Sequence, residues 1–234
     1  MTDVLFFVVW PYFATVFAIL GAIYRYYADR FSYSSFSAQV LENRLLFWGN
    51  ILWHYGVIVV LIPHLVGFLL PDLWATLVAD PVRLYVMEVV GYIAAVAAII
   101  GLTILIVRRT TNERVRAVTS PMDWVVVAAL WVQLIVGFWV ALAYRWGSEW
   151  YAHTIAPWLW SLVTLNPRTE FVRGLPFPVQ LHAVVGFLLI ALFPVSRLVH
   201  IIALPITYLW RPYQVVVWNT RRRLAVTVAA LRGR

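Results

Sequence analysis

The sequence predicts an all-α fold: an integral membrane bundle of five transmembrane helices with the N-terminus outside and the C-terminus in the cytoplasm. Three observations carry that prediction. Hydrophobic residues make up 63% of the chain and charged residues 12%, with a mean hydropathy of +0.84, more apolar side chain than a soluble domain of this length covers. The apolar residues fall in five uninterrupted stretches, about 4–24, 46–70, 84–107, 122–144 and 178–204. Each is near the ~20 residues that a helix needs to cross a hydrocarbon core of roughly 30 Å. The basic residues, all arginine, divide unequally between the two sides that these stretches define.

The first stretch, 4–24, has no basic residue before it and no small-x-small cleavage site, and Arg25 and Arg30 follow it. It therefore reads as a retained span rather than a signal peptide. The second, 46–70, contains WHYGVIVVLIPH and so carries His54 and His64. The third, 84–107, holds Glu88 one turn in, is preceded by Arg83 and ends at Arg108 and Arg109. The fourth, 122–144, carries Gln133, a side chain suited to bonding between helices. The segment 145–177 reads as an outer loop with a short amphipathic stretch, in which Trp146, Trp150, Trp158 and Trp160 lie at headgroup depth and His153 is a solvated surface histidine. The fifth stretch, 178–204, carries His182 and His200, and a basic cytoplasmic tail, 205–234, follows it. No repeat, low-complexity segment or soluble domain interrupts the chain, which reads as one membrane domain over 1–234.

With the N-terminus outside, the inner segments hold Arg25, Arg30, Arg44, Arg108, Arg109, Arg114, Arg116, Arg197, Arg211, Arg221, Arg222, Arg223, Arg232 and Arg234, and the outer ones Arg83, Arg145, Arg168 and Arg173. That split of 14 against 4 is a positive-inside pattern and accounts for the net charge of +8. The triplet at 221–223 faces anionic headgroups or a partner protein, and no motif for nucleic acid accompanies it. Cysteine is absent, which excludes disulfides, iron–sulfur clusters and thiolate ligation within this chain.

Four of the five histidines fall in two spans. An ionisable side chain in a membrane is costly and marks function by default. Because the second span runs outward and the fifth inward, His54 and His200 lie toward the inner face, and His64 and His182 toward the outer face. The step from His54 to His64 is about 15 Å along a helix and that from His182 to His200 about 27 Å. The unequal steps suggest a bulky group between the helices, bridged obliquely by each pair. Haem is such a group, since two neutral imidazoles bind one iron axially. Zinc fits less well, with two ligands per pair, no cysteine and few carboxylates. Eighteen residues at about 100° each return to one helix face, so His182 and His200 look the same way, whereas His54 and His64 stand about 80° apart and the two haem planes are out of register. Gly56, Gly67 and Gly186 near the ligands serve either a flat macrocycle or close helix packing.

The segments NILWHYGVIVVLIPH at 50–64, RVRAVT at 114–119, QLHAVVGFLLIALFPVSRLVH at 180–200 and LPITYLWRPYQ at 204–214 resemble the gamma subunit of respiratory nitrate reductase, a dihaem cytochrome b. The likeness runs from WPYF near the N-terminus to PYQ at 212–214, with the loop at 145–177 poorly matched. The resemblance implies two haem b groups, the inner on His54 and His200 and the outer on His64 and His182. It implies quinol oxidation beside the outer haem and electron transfer inward to an iron–sulfur beta subunit and a molybdenum alpha subunit, which performs the nitrate chemistry. It implies a multi-pass protein of the cytoplasmic membrane in contact with lipid and quinone.

Two positions depart from the family pattern. Where the family has a lysine for the quinone oxygen, counting back from Arg108 and Arg109 reaches Arg83, a planar fork in place of a point charge. Arg83 either contacts quinol or snorkels at a helix start. The family's glycine before the outer histidine is Pro63, which stiffens or kinks the span. Glu88 either relays protons from the quinol site or is neutralised by Arg83. Arg109 and Arg197 either contact haem propionates at the inner face or follow ordinary positive-inside placement. Other expectations stay open: the same anchor serving nitrite oxidation with reversed flow or sulfur and disulfide reduction, and a haem-free transporter, which requires ionisable residues along one continuous path.

Overall fold

The computed structural model describes residues 2–29 and 44–201, all within one packed unit. Among them every regular element is helical: α1 (Thr2–Ala28), α2 (Arg44–Leu69), α3 (Pro71–Val78), α4 (Pro81–Thr111), α5 (Glu113–Ala117), α6 (Pro121–Ala143), α7 (Gly147–His153), α8 (Ile155–Val163), α9 (Glu170–Arg173) and α10 (Phe177–Leu192), followed by a 3-10 turn at Arg197–Ile201. Four of these, α1, α2, α4 and α6, are long and apolar enough to cross a membrane.

Local chemistry sets the helix ends. Proline opens α3, α4 and α6 at positions where a missing N–H costs nothing. Asp80 caps α4 by accepting from Arg83 N at 2.8 Å, Asn112 caps α5, and Ser120 with Asp123 forms a reciprocal capping box at the start of α6. These polar caps fix where apolar helix gives way to loop.

Packing follows a chain of neighbours: α2 on α4, α4 on α6, α6 on α10 and α10 on α1. The α2–α4 seam is made of small residues. A Cβ on Gly56 would lie 2.6 Å from Ala94 O and Ala98 N, and one on Gly101 would run into the backbone at Trp53. Close approach of backbones is what holds apolar helices together where lipid removes the hydrophobic drive. Gly56 therefore serves helix packing, and Gly67 faces Tyr151 and Trp74.

Indole and phenol donors tie one end of the bundle. Trp158 donates to Phe7 O at 3.0 Å, within a π-helical turn at Leu5–Val9, Trp160 to Phe68 O at 2.7 Å, Tyr12 to Leu162 O at 2.9 Å and Trp74 to Ser148 O at 2.7 Å. At the opposite end, Arg25 donates to Pro194 O and Ser196 O at 2.8 and 2.6 Å.

Several expectations need correction. The expected fifth span is not one helix over its described part: α10 stops at Leu192, a turn covers Phe193–Ser196 and the 3-10 turn follows. Pro194 lacks a donor for the ladder and cannot sit mid-helix without cost, and its ring packs where only Gly21 of α1 leaves room. The 27 Å step and the shared face of His182 and His200 both assumed a continuous helix, so neither holds. Trp158 is not interfacial; it is 1% exposed and packs edge-on against Phe7 and Phe187. The outer loop is largely helical, folded into α7, α8 and α9. His153 is exposed as expected, and α2 continues through Pro63 to Leu69. Residues 202–204 of the fifth span, the tail 205–234 with its arginine triplet, and Arg30 lie outside the described residues.

Candidate functional site

Two histidine pairs stand between α2 and the chain that runs from α10 into the 3-10 turn. The ring centroids of His54 and His200 are 6.3 Å apart with planes at 66°, and those of His64 and His182 are 6.4 Å apart with planes at 50°. The rings that come together are those the sequence places at the same end, and both pairs close to nearly the same distance although the steps along the chain are unequal.

The two helices that carry the pairs do not pack closely on each other. Each instead packs mainly on other neighbours, and the paired rings approach one another between them. His64 keeps exposed surface there, while His54, His182 and His200 are half-buried.

Three of the four rings are aimed by their own backbone. The Nδ1 of His54 lies 2.9 Å from Asn50 O, that of His64 2.7 Å from Val60 O and that of His200 2.7 Å from Arg197 O. A carbonyl accepts only from N–H, so these contacts put the proton on Nδ1 and leave Nε2 with its lone pair. Such rings are ready metal ligands with their orienting partners already in place. His182 differs: its Nδ1 is buried without a partner, and its Nε2 lies 3.4 Å from Gln133 Nε2 on α6. Its ring rests against Gly137, where a Cβ would come within 2.6 Å of Cε1.

The spacing suits one metal ion bridged by each pair. Two metal–imidazole bonds of about 2.0–2.1 Å and two ring radii of about 1.1 Å place the centroids about 6.3 Å apart. Among the described residues no cluster of three or more histidines, aspartates or glutamates could hold a metal without further ligands. A site of three or four protein ligands is therefore absent from them, and each pair alone offers two imidazoles.

Around the inner pair, Arg197 binds Asp123 at 3.2 Å and donates to Val118 O at 3.2 Å. Arg109 donates to Leu105 O of its own helix at 3.4 Å and lies within electrostatic reach of Asp123, Arg108 and Arg197. Arg108, not singled out in the sequence, is only 2% exposed. Around the His64–His182 pair, Tyr151 meets the His64 ring edge-on at 6.0 Å and donates to His64 O at 3.2 Å. Burial pushes its phenol up to about 12, so it remains a neutral donor. Arg83 is engaged at the start of α4, reaching Asp80 at 4.0 Å and Thr76 O at 3.3 Å. Its half-exposed side chain is thus a capping group as found, with no contact to either ring. Tyr151, Gly137 and Arg25 carried no sequence signal beyond residue type, since their roles depend on helices far away in the chain.

Comparison with known proteins places the chain in a family. A family model described as nitrate reductase gamma subunit matches residues 3–219. The nitrate reductase gamma chain of Bacillus subtilis is 33% identical over 90% of this chain and 95% of its own length. The respiratory nitrate reductase 2 gamma chain of Escherichia coli is 32% identical over 92% and 96%. The nitrate reductase-like protein NarX of Mycobacterium tuberculosis is 32% identical over the whole chain, which spans 36% of the length of that relative. With helices that make it a multi-pass membrane protein and a family match over most of its length, the chain belongs to the nitrate reductase gamma subunit family.

Proposed function

We propose that the protein is a dihaem cytochrome b that oxidises membrane quinol and passes electrons inward to the iron–sulfur and molybdenum subunits of a nitrate reductase. The observation that carries this reading is the pair of matched histidine spacings, 6.3 and 6.4 Å between ring centroids, each between α2 and the segment that runs from α10 into the 3-10 turn. His54 and His200 hold the inner haem; His64 and His182 hold the outer one. Bound there, each haem supplies reversible one-electron chemistry. The chain's own part is to present neutral imidazole ligands, to fix the orientation of His54, His64 and His200 through backbone carbonyls, and to keep the iron in a low-dielectric setting.

The reading includes five spans within one domain, α10 and the residues after it forming the fifth, with the N-terminus outside and the C-terminus in the cytoplasm. The arginine distribution supports that orientation. Arg109 and Arg197 stand at the inner pair as cations for haem propionates, and Arg83 at the outer end as the cation offered to quinol oxygen. The test is a reduced-minus-oxidised spectrum of the purified full chain with a pyridine haemochrome assay. Two b-type haems per chain, reduced by a quinol analogue, are expected, and folded protein without haem overturns the reading.

A further inference from the structure

The turn of α2 that carries His64 is short of donors from its own helix. Pro63, just before it, has no N–H to offer Val59 O. The helix then ends at Leu69, so its last carbonyls have no following turn to bind them. Donors arrive instead from the next residue and from the outer helices. Leu70 N binds Val66 O at 2.8 Å, Trp160 of α8 donates to Phe68 O at 2.7 Å, and the Tyr151 hydroxyl of α7 donates to His64 O at 3.2 Å. Of these, Tyr151 is the donor that reaches the histidine itself.

The same turn seats the phenol ring. Its edge meets the His64 ring at a centroid distance of 6.0 Å with planes at 66°. Gly67, one turn beyond His64 on that side of α2, leaves the room it fills: a Cβ there would lie 2.8 Å from Tyr151 Cε1 and 3.2 Å from Trp74 Cδ1. The helix that delivers the ring is anchored separately, because Ala152 packs in a buried cluster with Trp74, Val78 and Leu84, and Trp74 donates to Ser148 O at 2.7 Å. Tyr151 thus stands beside the member of the outer pair that keeps exposed surface. On the dihaem reading, from which this inference starts, we propose that Tyr151 is a positioning residue of the outer haem. Its hydroxyl holds the backbone of His64 and its ring covers one edge of the imidazole. Through this one side chain, α7 sets both the angle and the hydration of the ligand.

Hydration gives the direction. Ferric haem carries one more positive charge than ferrous haem, so water admitted beside the ligand favours the ferric state. Removing the phenol therefore lowers the outer potential and leaves the inner one where it was. The experiment is an optical redox titration of the full chain carrying Tyr151→Ala, Tyr151→Phe, Gly67→Ala, or Gly67→Ala together with Tyr151→Ala. Expected in Tyr151→Ala is at least a tenfold fall in the reduced-to-oxidised ratio of the outer haem at fixed potential, about 59 mV for one electron. Tyr151→Phe keeps the ring and moves the outer haem by less, and the inner haem moves in neither variant. Gly67→Ala, whose methyl displaces the ring, lowers the outer potential alone but adds nothing to Tyr151→Ala. Should Tyr151→Ala lose the outer haem, its retention in Tyr151→Phe together with a lowered outer potential in Gly67→Ala supports the assignment. An unmoved or raised outer potential in Tyr151→Ala, equal shifts of both haems, loss of the outer haem from both Tyr151 variants, or full additivity of Gly67→Ala and Tyr151→Ala overturns it. Wild-type protein without two haems would instead defeat the dihaem reading itself.

Discussion

Three of the four histidines proposed as haem ligands are aimed by carbonyls three or four residues earlier, and the pairs can be tested one ring at a time. His54→Leu and His200→Leu each remove one ligand of the same pair, so each is expected to lower haem per chain from two to one and to abolish the same component of a redox titration. Loss of both haems, or of neither, counts against the pairing. Gly137→Ala tests the cradle. Its new methyl meets His182 Cε1 at 2.6 Å, a degree of overpacking that costs about 1–3 kcal/mol; reduced occupancy of the outer haem with the inner retained is expected in the haemochrome assay. The four histidines were legible in the sequence because ionisable groups in apolar runs stand out against their background. Gly137 and Gln133 were not legible as partners of His182, since nothing local states which helix faces which across 45 residues.

Elements were legible in length more than in continuity. The first four apolar stretches reappear as helices, the first and third each four residues longer at the C-terminal end, because apolar length dictates that a helix forms while prolines and polar caps set where it ends. The fifth was misread: a run that is apolar on every side carries no period, and the helix break inside it is invisible to hydropathy although Pro194 marks it. Arg25 reaches across from α1 to the two carbonyls that the break exposes, at 2.8 and 2.6 Å. Hydrogen bonds to a charged group contribute about 1.5–3 kcal/mol each. Arg25→Ala is therefore expected to loosen the segment carrying His200, so that the inner haem dissociates more readily on mild heating while the outer one stays. Equal loss of both haems would mean that Arg25 supports the bundle at large. Trp158 teaches the same lesson from the other side, as an indole that composition assigns to an interface lies in the core because Phe7 O offers its N–H a partner.

For the molecule as a whole, orientation is the property that the sequence states most directly and that function depends on most. Because the chain has no cysteine, single substitutions report sidedness without further engineering. Arg168→Cys is expected to react with an impermeant maleimide added to intact cells, and Arg114→Cys only after the membrane is opened; the reverse pattern inverts the assignment. The spacing of the histidines along α2 then acquires an energetic meaning. His54 and His64 are ten residues apart, an axial rise of about 15 Å against a hydrocarbon thickness of roughly 30 Å. On the proposed dihaem reading, an electron moved from the His64–His182 pair to the His54–His200 pair crosses about half of the transmembrane voltage drop. A full crossing is worth about 2.3 kcal/mol per elementary charge at 100 mV, so this step performs electrical work of about 1.2 kcal/mol. On that reading, somewhat under three turns of helix fix how much of each electron's free energy is converted into membrane voltage.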